Sequence, residues 1–215
     1  RFGAGKRTVL LNGVEKNSST ALIERFCAVV FSPENLNLIK RGPGERRNFI
    51  DSAVCREKLR NAVILTKYNR MIAQRNALLK DVYRNPALEE TIDVWDTQII
   101  NLGSQLMQQR LEFVHMISEK AAFYHRGISH ESEELQLRYI STVGAAYGDT
   151  LEELQQKFAA RCRSGRSADI AAGVTLAGPH RDDVEILING KNARTYGSQG
   201  QQRSAVLSLK LAEAA

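Results

Sequence analysis

A chain of 215 residues, 43% hydrophobic and 25% charged, has the size and composition of one globular domain or two small ones, which excludes disorder as a description of the whole. Cys27, Cys55 and Cys162 are odd in number and form no C-x-x-C pair. No apolar run approaches the roughly 20 residues that span a bilayer, so a cytoplasmic protein without membrane contact is expected rather than a secreted disulfide scaffold. The net charge of +6 is uneven: residues 1–80 hold 16 basic against 6 acidic residues, 81–165 hold 8 against 13, and 166–215 hold 6 against 5.

A locally basic segment attracts polyanions through counterion release, which makes nucleic acid a candidate partner, although many proteins carry such an excess and bind none. In chain order, Arg7 to Leu11 reads as a strand that turns at Asn12-Gly13, a pair suited to the positive φ of a type I′ turn. Ser18-Ser19-Thr20 is placed to cap a short helix through Ile23 and Phe26, and Cys27 to Phe31 reads as a buried strand. Pro43 opens a helix through Asp51, and a longer helical pattern runs from about Lys58 to Arg84. Leu65, Tyr68, Ile72, Leu79 and Val82 form its apolar stripe, broken at Arg75. Asn85-Pro86 ends it.

From Leu88 to about Tyr124 a three-four spacing runs through Ile92, Trp95, Ile99, Leu102, Leu106, Gln109, Phe113, Met116, Lys120 and Phe123. This predicts a helix on the order of 55 Å long that pairs with the preceding one as an antiparallel hairpin, and that either projects from the domain or lines its whole side. Leu135 to Thr142 alternates as a strand. Thr150 and Glu153 form a capping box for a helix from Leu151 to between Cys162 and Ile170. Val174 to Ala177 and Val184 to Ile188 read as strands, Asn189-Gly190 as a hairpin turn, and a last helix starts near Gln199. The fold class is mixed α+β, with residues 56–172 a helical insertion between β-containing segments 1–55 and 173–215. The chain starts at Arg1 rather than Met and stops inside a helical pattern, so it reads as an internal segment.

The strongest local signal is Tyr196-Gly197-Ser198-Gln199-Gly200-Gln201-Gln202-Arg203 ahead of an apolar helix. A serine between glycines at a helix start offers a hydroxyl and free backbone N–H groups at the positive end of the helix dipole, an arrangement suited to an anion. An ordinary N-cap with a polar first turn would read the same way. His115, His125 and His130 lie on or after the long helix without metal-binding spacing and read as surface or packing residues. His180, Asp182 and Asp183 are too close along a strand to converge on a metal, so no metal site is expected.

Several ordered blocks resemble the RecF family of bacterial DNA-repair ATPases. Ser198 to Arg203 is similar to the signature motif of ABC-type ATPases. Thr175-Leu176-Ala177-Gly178-Pro179-His180-Arg181-Asp182-Asp183 matches a T-L-x-G-P-H-R-D-D stretch. Phe31-Ser32-Pro33-Glu34-Asn35-Leu36, Arg46-Arg47-x-Phe49-Ile50-Asp51 and Gln74-Arg75-Asn76-x-Leu78-Leu79-Lys80 resemble further family elements. The resemblance implies a partial ABC-ATPase head with a long helical hairpin lobe, from a protein that uses ATP and Mg, binds DNA at gaps or junctions, works with RecR and RecO, and forms an ATP-dependent homodimer. It implies that Ser198, Gln199, Gly200 and Gln201 bind ATP held by the opposite subunit, Ser198 at the γ-phosphate. Ser32 and Glu34 become candidate occupants of a Q-loop that here has no glutamine. Arg46 and Arg47 read either as part of that region or as a solvated helix face paired with Glu45 or Asp51. Lys58, Arg60, Lys67, Arg70, Arg75 and Lys80 are candidate DNA contacts.

Gly3-Ala4-Gly5-Lys6-Arg7 imitates a P-loop but lacks its first glycine and its hydroxyl, and no hydrophobic strand ends in Asp-Glu. The segment alone is therefore expected not to hydrolyse ATP. Two other readings stay open: a non-enzymatic helical interaction module, and a head fragment of another SMC- or ABC-type repair protein.

Overall fold

The computed structural model describes residues 2–3, 6–7, 9–16, 32–82 and 85–215. The helix expected after Ser18 and the strand Cys27–Phe31 lie outside the described residues. Two short hairpins open the chain: β1 (Phe2–Gly3) pairs with β2 (Lys6–Arg7), and β3 (Val9–Leu11) with β4 (Val14–Lys16). The second turns at Asn12 (φ 51°) and Gly13 (φ 82°), as the Asn-Gly pair predicts.

Ser32 caps a 3-10 turn, Pro33–Leu36, that runs into α1 (Asn37–Lys40). Pro43 occupies the first turn of α2 (Pro43–Glu57), where its missing N–H costs nothing, and α3 (Leu59–Val82) follows after one extended residue, Lys58. A 3-10 turn, Pro86–Thr91, leads into the 37-residue α4 (Ile92–Ile128), which runs back along α3 as the expected hairpin. β5 (Leu135–Ile140) then precedes α5 (Leu151–Ala172), which the reciprocal Thr150–Glu153 box starts and Gly173, in the left-handed conformation, stops. β6 (Asp183–Ile188), β7 (Lys191–Asn192), the single turn α6 (Ala193–Tyr196) and α7 (Gln199–Ala214) complete the chain. The sheet is antiparallel in the order β5-β6-β7, with Leu135 opposite Ile188 and Ile140 opposite Asp183.

The long helix α4 joins two cores. Its first half packs with α3 and α5 around Ile64, Tyr68, Ile99, Leu106, Leu154 and Phe158. Its second half packs with α2, the β5–β6 pair and α7 around Ile50, Val114, Ile117, Ile186, Val206 and Leu209. The buried stripe departs from the predicted seam. Ile92, Ile99, Leu106 and Phe113 are buried, but Met116 and Phe123 are 43% and 66% exposed, and Ile117, Ala121 and His125 are buried instead. A seven-residue repeat drifts about 20° per heptad on a straight helix, so over three heptads the seam walks off the face that packs.

Val174 to Ala177 is not a strand, contrary to expectation. Its backbone is held by helices rather than by a neighbouring strand: Val174 N–H donates to the Asp169 carbonyl, Thr175 N–H to Asn76 Oδ1 (2.7 Å) and Leu176 N–H to Asp169 Oδ1 (3.0 Å).

Candidate functional site

Ser198 sits at the head of α7 with extended backbone geometry (φ −62°, ψ 163°). Its Oγ accepts the Gln201 N–H at 3.2 Å, and Gln201 Oε1 accepts the Ser198 N–H at 2.8 Å, which closes a capping box. Behind it the Gln202 amide donates to the carbonyls of Ala193 and Gly197, both at 3.1 Å, and so ties the turn to α6. A side chain at Gly197 would come within 2.6 Å of the Ala193 carbonyl, so that tie requires glycine. Gly200 is different: among the described residues a Cβ there would meet only Ser198 Oγ, at 3.8 Å, and their packing does not call for its absence. Ser198, Gln199, Gly200 and Arg203 are exposed, and the Ser198 hydroxyl proton has no acceptor among the described residues.

The motif blocks read separately from the sequence interlock in space. Arg46 is buried and grips both carboxylate oxygens of Asp183, at 2.7 and 2.9 Å, while Arg47 Nη1 donates to the Asp182 carbonyl at 2.7 Å. Neither arginine lies on a solvated face paired with Glu45 or Asp51, because their counter-groups lie 135 or more positions away. Asp51 instead takes a bidentate pair from Arg110 (2.8 and 2.9 Å), whose Nη1 also donates to the Pro179 carbonyl. Asp182 accepts from the Thr142 N–H and hydroxyl, both at 2.7 Å, and from the Tyr139 hydroxyl at 2.8 Å; burial, acting first, raises its pKa against those bonds. The Gly178–Asp183 turn is thus fixed by ion pairs and buried hydrogen bonds, and its polar residues serve the fold.

His180 belongs to the same turn. A carbonyl only accepts, so His180 Nε2 carries the proton that meets the Thr175 oxygen at 3.0 Å, and Nδ1 accepts the Tyr68 hydroxyl at 2.7 Å. Burial lowers the His180 pKa from 6.5 to about 4. As pH falls, the unfolded chain takes up this proton near 6.5 and the folded chain near 4, so the unfolded state holds more protons in between. Stability contributed by the neutral ring is therefore present above that window and lost across it, by on the order of 3 kcal/mol. Urea unfolding of a His180→Gln protein is expected to show a shallower loss of stability between these pH values than the parent; identical slopes would remove His180 as the cause.

The other expected site residues scatter. Ser32 caps its 3-10 turn, and Glu34 borders a groove shared with Lys210 and Glu213 at the C-terminal end of α7. Twelve residues of helix, about 18 Å, separate that end from Ser198, so the Q-loop candidates and the signature turn do not meet within one chain. Lys58, Arg60, Lys67, Arg70 and Lys80 are exposed. Arg60, Lys67 and Arg70 follow one side of α3, whereas Lys80 flanks the opposite side, where its Cγ lies 3.2 Å from a Cβ built on Gly173. Arg75 is fully buried, against the expectation of a DNA contact. Its Nε pairs with Asp96 Oδ1 and its Nη1 with Asp169 Oδ2, each at 2.7 Å, so no phosphate reaches it.

The fold is a helical hairpin packed along an antiparallel sheet that delivers a serine-capped helix. The comparisons give the family. No family model matches the chain, but its relatives are RecF proteins and the chain is a segment of that family. It is 41% identical over 205 residues to the DNA replication and repair protein RecF of Lachnoclostridium phytofermentans, covering 95% of this chain and 54% of that protein. It is 38% identical over 208 residues to the RecF of Acetivibrio thermocellus, covering 97% and 56%. A solved structure of the recombination mediator protein RecF-ATPrS of the RecFOR pathway superposes with a TM-score of 0.88 at 30% identity, covering 97% of this chain and 56% of that one. The chain spans about half the length of the curated relatives it matches.

Proposed function

We propose that the segment belongs to an ATP-dependent recombination mediator of DNA gap repair and replication restart, acting in the cytoplasm, and that it supplies the signature turn to ATP and Mg held by a second copy. The observation that carries this is a turn equipped beyond the needs of its own chain. A hydroxyl proton without an acceptor and a glycine that packing does not require, both among the described residues, and the first backbone N–H groups of a 16-residue helix all occur between Ser198 and Gln201. Such a helix start favours a phosphate by dipole and by N–H donation together. Ser198 then donates to the γ-phosphate, Gly200 gives its N–H to the same group, and Gln199 and Gln201 flank it.

A homodimer follows from that chemistry, since the phosphate-binding loop and the signature turn belong to opposite copies. Lys58, Arg60, Lys67 and Arg70, exposed on or beside α3, form the DNA-facing side, and RecO and RecR are the partners that the family suggests. The test is Ser198→Arg in the full-length protein that carries this segment, read by sedimentation with and without ATP. The long cation fills the phosphate position, and ATP-dependent self-association is expected to weaken by about a hundredfold or more, while nucleotide binding by the separate subunit persists. Wild-type self-association in that variant overturns the reading.

A further inference from the structure

The signature turn is tied to the end of the long helix through a short polar circuit. Gln201 Nε2 donates to Glu133 Oε1 at 2.9 Å, and Glu133 Oε2 meets His125 Nε2 at 3.1 Å. His125 is fully buried in the last turn of α4, and its Nδ1 lies 3.1 Å from Ser208 Oγ, which returns the circuit to α7 two turns beyond Gln201. Ser208 also donates to the Ser204 carbonyl at 2.8 Å. Glu133 itself stands in the connection between α4 and β5, with its side chain 19% exposed.

The chemistry of the amide gives this circuit a direction. A primary amide has one accepting end and one donating end, and a carboxylate only accepts. Glu133 therefore draws the Nε2 end of Gln201 toward itself and turns Oε1 toward the Ser198 N–H, 2.8 Å away. With that oxygen in place, the Gln201 N–H caps Ser198 Oγ, so the serine's accepting side is engaged and its proton is left without an acceptor among the described residues. Without Glu133, Nε2 has no acceptor among the described residues and the amide is free to rotate away from the turn. His125 holds the carboxylate from behind, at the end of a helix that reaches both cores.

We infer that Glu133, seated by His125, is a positioning residue for the signature turn: it orients the Gln201 amide so that Ser198 presents a donor to a phosphate, and it couples that presentation to the end of α4. This rests on the reading of Ser198 to Gln201 as the signature turn. In the full-length protein, Glu133→Ala is expected to weaken ATP-dependent self-association about tenfold, the loss of a hydrogen bond to a charged group, with single-subunit ATP binding unchanged.

Glu133→Gln is the conservative rescue. Its Oε1 still accepts from Gln201 Nε2, so self-association is expected within about twofold of the parent. Ser198→Arg run alongside separates the two ideas. If Ser198→Arg abolishes the dimer while Glu133→Ala assembles as the parent does, the positioning role falls alone. If Ser198→Arg leaves the dimer intact, the signature reading falls first. A Glu133→Gln protein as weak as Glu133→Ala also overturns the inference, because orientation of the amide would then not be what Glu133 contributes.

Discussion

Arg75→Ala is expected to destabilise the protein by about 3–5 kcal/mol, the usual consequence of removing one partner from a buried charge network. The guanidinium has no exposed atoms and joins three helices: Asp96 of α4, Asp169 of α5 and its own α3. Its Nη1 also donates to the Thr175 hydroxyl at 2.9 Å, and Asn76 Oδ1 takes both the N–H and the hydroxyl proton of Thr175. Removing Arg75 leaves two carboxylates facing each other's helices with, among the described residues, only Arg166 on Asp96 and the Leu176 N–H on Asp169. The alanine also opens a cavity at the junction of α3, α4 and α5. Urea denaturation measures the loss directly, and a cost below about 1 kcal/mol would mean that the network carries little of the fold. A triple change, Arg75→Met with Asp96→Asn and Asp169→Asn, is expected to recover part of it, since no buried charge is then left without a partner.

Arg75 also marks the boundary of what the sequence made legible. Its place in the stripe Tyr68, Ile72, Leu79, Val82 put it on the packed face, where a charged residue is out of pattern. Its counter-charges lie 21 and 94 positions further along, and a one-dimensional pattern has no means of bringing them together. The same holds for Arg46 with Asp183 and Arg110 with Asp51. Signals carried by neighbouring residues did translate into structure: the Asn12-Gly13 and Asn189-Gly190 turns, the Thr150–Glu153 box, the Pro43 start and the Ser198 cap. Each depends on residues within four positions, where propensity and hydrogen bonding are local. Ser198 was visible for that reason, and Glu133 and His125 were not, because their relation to Gln201 exists only once α4 and α7 are packed together. The one available hint for His125 was its fit to a 3.6-residue continuation of Ile117 and Ala121, which the seven-residue seam obscured.

Gly178→Ala should be nearly as damaging, at about 3–5 kcal/mol, and for two separable reasons. The residue has φ 123°, a backbone conformation that L side chains rarely adopt, and a Cβ there would lie 2.7 Å from the Phe158 ring and 2.8 Å from the Tyr68 hydroxyl. Both rings are fully buried, and a Cβ on Gly103 would likewise stand 2.7 Å from Phe158 and 2.9 Å from Tyr68, so both glycines border the same pair of aromatic side chains. Gly148→Ala separates the reasons, since Gly148 also has positive φ, at 93°, but nothing lies within 4 Å of its Cβ position. Its cost should be that of the backbone alone, about 1–3 kcal/mol. Equal losses at the two positions would remove the packing contribution.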